Sequence, residues 1–107
     1  MSNPEDVYGQ ITERLCYEFE DVHPGKMMSS PALKYQKKVF LFFHKETMGF
    51  RLGPNFNPNQ LGLKTAHLLN PFKNKPPLKG WFIVESSESD KWKELSDQAL
   101  SFTKSLT

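Results

Sequence analysis

The feature that most restricts the fold of this chain is a short apolar segment near its middle, at residues 37 to 44. It reads Lys-Lys-Val-Phe-Leu-Phe-Phe-His, and its β-branched and aromatic side chains favour a strand. Alternate residues starting at Val39 are expected on one face of that strand, and those starting at Phe40 on the other. Because both sets are largely apolar, the segment predicts a central strand that is covered on both faces.

A second strand is predicted at residues 48 to 53, joined to the first by a polar turn at residues 45 to 47. Its apolar residues alternate with Gly49, Arg51 and Gly53, and glycine at these positions indicates a close backbone approach or a bulge. This strand is also a candidate for pairing with a second chain, a question on which the sequence is silent.

Amphipathic helices are predicted at both ends of the chain. Asn3 is a good N-cap and Pro4 suits the first helical position, and an apolar residue then recurs every four residues as far as Phe19. Pro24-Gly25 is expected to end this element. A single apolar stripe at three- and four-residue steps predicts the final helix. The stripe consists of Trp92, Leu95, Ala99, Phe102 and Leu106.

Shorter elements are predicted between the helices and the central hairpin. Residues 26 to 29 predict a short strand stopped by the proline that follows, and residues 32 to 35 a second short strand or a turn. A short helix is expected near residues 58 to 68, an exposed loop over residues 73 to 79, and a last strand at residues 81 to 84.

The predicted fold class is therefore α+β. The element order is helix, three or four strands, short helix, strand and helix, which favours a mixed or antiparallel sheet of four to five strands. The N- and C-terminal helices are expected to pack together on one face of that sheet. A length of 107 residues without a long flexible linker predicts a single domain over residues 1–107.

Charge and cysteine content narrow the functional classes. Fourteen basic and twelve acidic residues give a net charge of +2, which permits an anionic partner but is mild for a dedicated nucleic-acid binder. Cys16 is the only cysteine, so no internal disulfide can form. The first residues do not resemble a secretory signal, and no apolar run is long enough to span a bilayer. We therefore expect a cytoplasmic protein with no membrane partner.

The residue patterns give no catalytic, metal or cofactor site. Cys16, His23, His44 and His67 do not have the spacing of a metal motif, so no metal ligand is predicted. Cys16 lies at the edge of an apolar stripe, where a small buried thiol is the usual outcome. The chain has no phosphate-binding loop and no serine-nucleophile motif, and we expect no enzyme activity and no cofactor. An enzyme based on cysteine and histidine is kept as a less favoured alternative.

Two groups of lysines flank aromatic strands. Lys34, Lys37 and Lys38 precede the central strand, and a second group lies at residues 73 to 79. Lysines beside exposed aromatic rings are typical of proteins that bind single-stranded nucleic acid by charge and stacking. The low net charge favours the simpler interpretation, in which these lysines form a solvated rim around core aromatics.

Three segments together resemble the N-terminal domain of the TfoX (Sxy) competence regulators. They are the sequence Gly-Lys-Met-Met at residues 25 to 28, the aromatic strand, and Met-Gly-Phe-Arg-Leu at residues 48 to 52. The Pro71-Phe72 pair and the strand at residues 80 to 85 resemble later parts of that domain. MmcQ/YjbR-like domains are a second candidate family. The resemblance implies an α+β fold and a regulatory role, and it brings no catalytic residues with it.

The sequence thus predicts a non-enzymatic regulatory or interaction module. Its partner is another protein or a second copy of the chain, with nucleic acid less favoured and a small ligand as a further alternative. If Arg51 lies exposed on the outward face of its strand, it is the best single anchor, because arginine is over-represented in interfaces. The candidate binding residues are Lys26, Met27, Lys34, Lys37, Lys38 and Arg51.

Overall fold

The computed structural model describes residues 3–27, 29–69 and 78–106 of the chain. In that part, two α-helices enclose six strands in chain order. The helices are α1 (Pro4–Glu18) and α2 (Trp92–Ser105). The strands are β1 (Val22–Met27), β2 (Ser30–Tyr35), β3 (Lys38–His44), β4 (Thr47–Arg51), β5 (His67–Leu69) and β6 (Leu78–Glu85). Two 3₁₀ helices, Pro58–Leu61 and Ser86–Lys91, precede β5 and α2.

The strands form one antiparallel sheet in the order β1-β2-β3-β4-β6-β5. This confirms the predicted α+β class, with six strands instead of four to five. β4 lies between β3 and β6, so the suggestion that its outer edge is free for a second chain is wrong. The additional strand is β5, which occupies part of the segment that was predicted to be a helix.

Both α-helices pack on the same face of the sheet, as predicted. Leu15 of α1 and Leu95 of α2 are fully buried in one cluster with Phe40 and Phe50 of the sheet. Arg14 donates a hydrogen bond of 2.9 Å to Asp97, which joins the two helices at their solvent-facing side. An exposed ion pair of this kind contributes little stability, so the buried apolar contacts hold the helices on the sheet.

No helix in residues 3–27, 29–69 or 78–106 has the length and apolar character needed to cross a membrane.

A β-bulge in β3 changes which of its residues face the helices. Leu33 pairs with Leu41 and Lys34 pairs with Val39, which leaves Phe40 as the extra residue. Phe40 and Leu41 therefore both join the cluster under the helices, whereas Val39 packs beside Phe42 on the opposite face. The strict alternation expected from the sequence is wrong at Val39 and Phe40, although the expectation of a strand covered by apolar packing on both faces is confirmed.

The first helix and first strand differ from the sequence prediction. α1 ends at Glu18, and Pro24-Gly25 lies inside β1 instead of ending the helix. The amide of Gln36 donates to the carbonyl of Asp21, which fixes the side of β1 that bonds to β2. Pro24 consequently occupies a position whose missing N–H points away from the sheet, and edge strands tolerate proline only there. The amide of Val22, at the next such position, donates to Phe19.

The segment after β4 contains less helix than predicted. Asn57 caps a single 3₁₀ turn, Pro58–Leu61, and Gly62 ends it with a left-handed conformation at φ 69°. Of the exposed loop predicted over residues 73 to 79, residues 73 to 77 lie outside the described residues. Its last two residues begin β6.

The final helix buries a slightly different stripe from the predicted one. Trp92, Leu95 and Ala99 are buried as expected, whereas Phe102 is only partly buried and Leu106 is 43% exposed. The stripe continues instead through Leu100 and through two small polar residues, Ser96 and Thr103. Burial of Ser96 is offset by its hydroxyl, which donates to the carbonyl of Trp92 at 2.7 Å.

A carboxylate fastens the segment before β5 to the 3₁₀ helix after β6. Glu88 accepts hydrogen bonds from the backbone amides of Lys64 at 2.9 Å and Thr65 at 2.7 Å, and from the Thr65 hydroxyl. The pKa of Glu88 is held below its ordinary value by these hydrogen bonds. The largest effect comes from the Thr65 hydroxyl, and the two amides add to it. The charged form of Glu88 therefore stabilises the folded state.

We expect Glu88→Gln to lower the free energy of unfolding near neutral pH. Because the pKa is lowered in the folded state, the contribution of Glu88 is fully present above its ordinary pKa of about 4.3 and is lost as the pH falls through the lowered folded value. Urea unfolding curves of wild type and variant, measured from neutral to acidic pH, should therefore converge on acidification. Glu13→Gln on the exposed side of α1 is the matched control. A wild-type advantage over Glu88→Gln that stays constant with pH would contradict this account.

Candidate interaction surface

The sheet has a second face, which points away from α1 and α2. The sheet residues on this face form a second buried cluster of Ala32, Phe42 and Leu69. Four further apolar side chains surround the cluster and are only partly buried: Met27, Val39, Trp81 and Ile83. No described helix packs on this side, so we use "the second face" for these residues and the polar side chains in register with them.

One row across the second face combines basic and apolar side chains. Lys34 on β2 pairs with Val39 on β3, and Arg51 on β4 pairs with Trp81 on β6. All four are partly exposed. Directly paired residues of an antiparallel sheet share a face, and neighbouring strands lie about 4.8 Å apart. The backbones of Lys34 and Arg51 are therefore separated by about 10 Å, two strand spacings.

Glycines leave room for the larger side chains in the next row. Phe42 on β3 lies opposite Gly49 on β4, and a Cβ at Gly49 would overlap the Phe42 ring. A Cβ at Gly25 on β1 would lie 2.9 Å from Cε of Lys34, so the stem of that lysine crosses Gly25. The ring of Trp81 contacts Phe42 with a centroid distance of 5.8 Å. The sequence predicted a close backbone approach or a bulge at Gly49, whereas the group that approaches this glycine is an aromatic side chain.

A third row holds the polar groups of this face. The hydroxyl of Ser30 and Nδ1 of His44 are 2.9 Å apart, while Thr47 pairs with Glu85 on the neighbouring strands. Among the described side chains of the second face, Glu85 is the only acidic one, and it lies at the opposite end from Lys34 and Arg51. The face is therefore basic at one end and weakly acidic at the other.

The sequence-predicted binding residues do not form one surface. Met27, Lys34 and Arg51 lie on the second face, and strand alternation places Lys26 and Lys38 on the side of the helices. Lys37 is exposed in the turn between β2 and β3. Lys38 donates a hydrogen bond of 3.1 Å to the carbonyl of Leu106, which ties it to the end of α2.

The candidate reactive residues are not brought together either. Cys16 on α1 packs against the core under the helices, whereas His23 and His44 occupy second-face positions, so the sheet separates the thiol from both imidazoles. Burial raises the pKa of the Cys16 thiol, which disfavours a reactive thiolate. Within the described ranges, no three His, Cys, Asp or Glu side chains are grouped as ligands for a metal ion.

Surface clefts offer little in place of a reactive cluster. Two clefts of about 290 and 310 Å³ lie along the junction of α1 and α2, on either side of Arg14. A third, of about 350 Å³, lies between the start of α1 and the β3–β4 turn. The described residues that line these three clefts include neither cysteine nor histidine.

Charge along the chain follows the two layers of the fold, a pattern that the sequence analysis overlooked. Residues 3 to 21, which contain α1, include six acidic residues and one basic residue. Residues 22 to 69, which contain five strands, include seven basic residues and one acidic residue. The mild net charge of +2 therefore conceals an acidic helical layer and a basic sheet layer, and counting charges by segment would have revealed both.

Trp81 was also not recognised from the sequence as part of a surface. Its place next to Arg51 depends on the pairing of β4 with β6, two strands separated by 26 intervening residues.

Comparisons with protein families, curated proteins and solved structures found no match for this chain.

We expect Gly49→Ala to destabilise the protein, because the added methyl group must displace the Phe42 ring. Overpacking of this kind typically lowers the free energy of unfolding by about 1–3 kcal/mol. Gly9→Ala is a matched control, since nothing lies within 4 Å of a Cβ at Gly9 on α1, and in a helix it should stabilise by about 0.5–1 kcal/mol. Urea unfolding measures both, and equal effects of the two substitutions would contradict the packing described.

The two tryptophans should differ in their access to solvent. Trp92 is fully buried, whereas Trp81 is partly exposed. In Trp92→Phe, which keeps Trp81, iodide should quench the fluorescence several-fold more than in Trp81→Phe. Far-UV circular dichroism confirms that both variants are folded. Equally weak quenching in both variants would show that Trp81 is covered, and equally strong quenching would contradict the burial of Trp92.

Proposed function

We propose that this protein is a non-enzymatic cytoplasmic interaction module, regulatory in the manner of a TfoX N-terminal domain, which binds its partner through the second face. Support for a regulatory role comes from the resemblance of the segments around Lys26 and Met48 to that domain. Support for a role without catalysis comes from the separation of Cys16 from His23 and His44 by the sheet.

The observation that carries the proposal is the composition of one row of the second face. Lys34 and Arg51 contribute two positive charges beside the apolar surfaces of Val39 and Trp81. Apolar contact area flanked by basic side chains is a common composition of binding surfaces, in which tryptophan and arginine contribute most of the affinity. The acidic layer around α1 lies on the other side of the sheet, where its side chains do not neutralise Lys34 and Arg51 directly.

The geometry of the helical side favours the second face over the alternatives. The helices already bury their apolar stripes against the sheet, and the large exposed apolar side chains described on that side, Tyr17, Leu68 and Leu106, belong to three different parts of the fold. Single exposed apolar residues are normal on protein surfaces and need no partner. A partner that fits the second face has negative charge and a flat or aromatic surface.

Charge reversal of the second face is the direct test. The double variant Lys34→Glu/Arg51→Glu should lose partners that wild type captures by chemical crosslinking in living cells, by about tenfold or more, because like charges across an interface cost several kcal/mol. Lys93→Glu, an equivalent change on exposed α2, is the matched control and should capture the same partners as wild type.

Stability must be measured beside capture. Urea unfolding should show that the double variant remains folded, since both reversed side chains are partly exposed. Equal capture by the folded double variant and by wild type would overturn the proposal, as would loss of capture by Lys93→Glu alone.

A further inference from the structure

We propose, building on the function above, that the occupant of the second face is single-stranded nucleic acid. Trp81 stacks on a base, and Arg51 and Lys34 contact phosphates on the same strand. The proposal rests on the separation of charge between the two layers and on the register that places an aromatic ring beside an arginine.

The charge argument reverses an expectation from composition. A net charge of +2 disfavours nucleic acid only if the charges are mixed over the surface. They are separated instead: seven of the eight charged residues in positions 22 to 69 are basic, while α1 and its flanks are acidic. Two of these basic residues, Lys34 and Arg51, lie on the second face, where a polyanion would meet them, and the acidic residues of α1 and its flanks disfavour binding on the helical side.

Trp81 supplies the stacking surface. It is partly exposed, and its ring contacts that of Phe42 at an interplanar angle of 44°, while the Phe42 ring lies over Gly49. A tryptophan held by such a contact keeps its ring orientation when a base stacks on it, so little side-chain freedom is lost on binding. Stacking is tolerant of base identity because every base presents a flat π-surface, and the proposal therefore predicts weak sequence preference.

The basic side chains lie at a distance suited to a strand that crosses the sheet. Trp81, Arg51, Val39 and Lys34 stand on four adjacent strands, β6, β4, β3 and β2. Their backbones span about 14 Å, or three strand spacings, which is the length of a few nucleotides in an extended strand. Arg51 is the central contact, because its guanidinium forms paired hydrogen bonds with a phosphate.

An acidic peptide would also complement Lys34 and Arg51. It has no obligatory flat group for Trp81, however, and it would leave the aromatic part of the row without a contact. This feature favours nucleic acid over a peptide.

Fluorescence anisotropy with a labelled oligothymidine of about 12 nucleotides tests this assignment. Wild type should bind at low salt, and the affinity should fall from about 50 to about 200 mM salt with a log–log slope near −1.4, the value for two phosphate contacts on a single strand. Lys34→Gln/Arg51→Gln should weaken binding about tenfold and flatten the slope. Trp81→Leu should weaken binding by a similar factor while leaving the slope unchanged. Lys93→Gln on α2 should bind like wild type.

Several results would overturn the assignment. They are no binding at low salt, competition by polyglutamate as effective as by unlabelled oligothymidine, and equal binding by wild type and folded Trp81→Leu. The outcome for the proposed function is separate. If oligothymidine does not bind but the charge-reversal variant still loses its crosslinked protein partners, the nucleic-acid assignment fails and the interaction module stands. If oligothymidine does not bind and the charge-reversal variant also keeps its crosslinked partners, the second face is not a binding surface.

Discussion

Strand β3 serves two hydrophobic clusters at once, and the bulge at Phe40 decides which of its residues join each of them. Without the extra residue, Val39 would share a face with Leu41, and Phe40 would point away from the helices. The bulge gives Phe40, Leu41 and Phe43 to the core under α1 and α2, and it gives Val39 and Phe42 to the other face. The burial of Phe40 beside Leu41 under the helices and the position of Val39 on the second face both depend on this local change of register.

Local patterns in the sequence predicted the parts of the fold that local interactions determine. Asn3 accepts a hydrogen bond from the amide of Asp6, and α1 begins at Pro4 as the capping pattern indicates. The hairpin of β3 and β4 and the amphipathic α2 were also predicted, because turn chemistry and a helical apolar period are visible over a few residues.

Features that depend on distant pairing were not predictable in the same way. Pro24 resembles a helix terminator in sequence, and only the pairing of β1 with β2 shows that its missing N–H faces away from the sheet. The row of Lys34, Val39, Arg51 and Trp81 requires four strands in register, and it crosses β3 next to the bulge. The binding residues chosen from the sequence were neighbours in the chain, and strand alternation distributes such neighbours over two faces. Lys26 and Met27 illustrate this most directly.

The donor-poor edge of β1 has a consequence for the behaviour of the protein in concentrated solution. Three residues, Val22, Pro24 and Lys26, face outward along that edge: one amide is already bonded, one does not exist, and only the amide of Lys26 remains. A strand from another molecule that docked there would meet the three carbonyls of these residues but only one of their three amides. Growth of a cross-β stack from this side of the sheet is therefore disfavoured by two missing donors, one of them removed by a single imino acid.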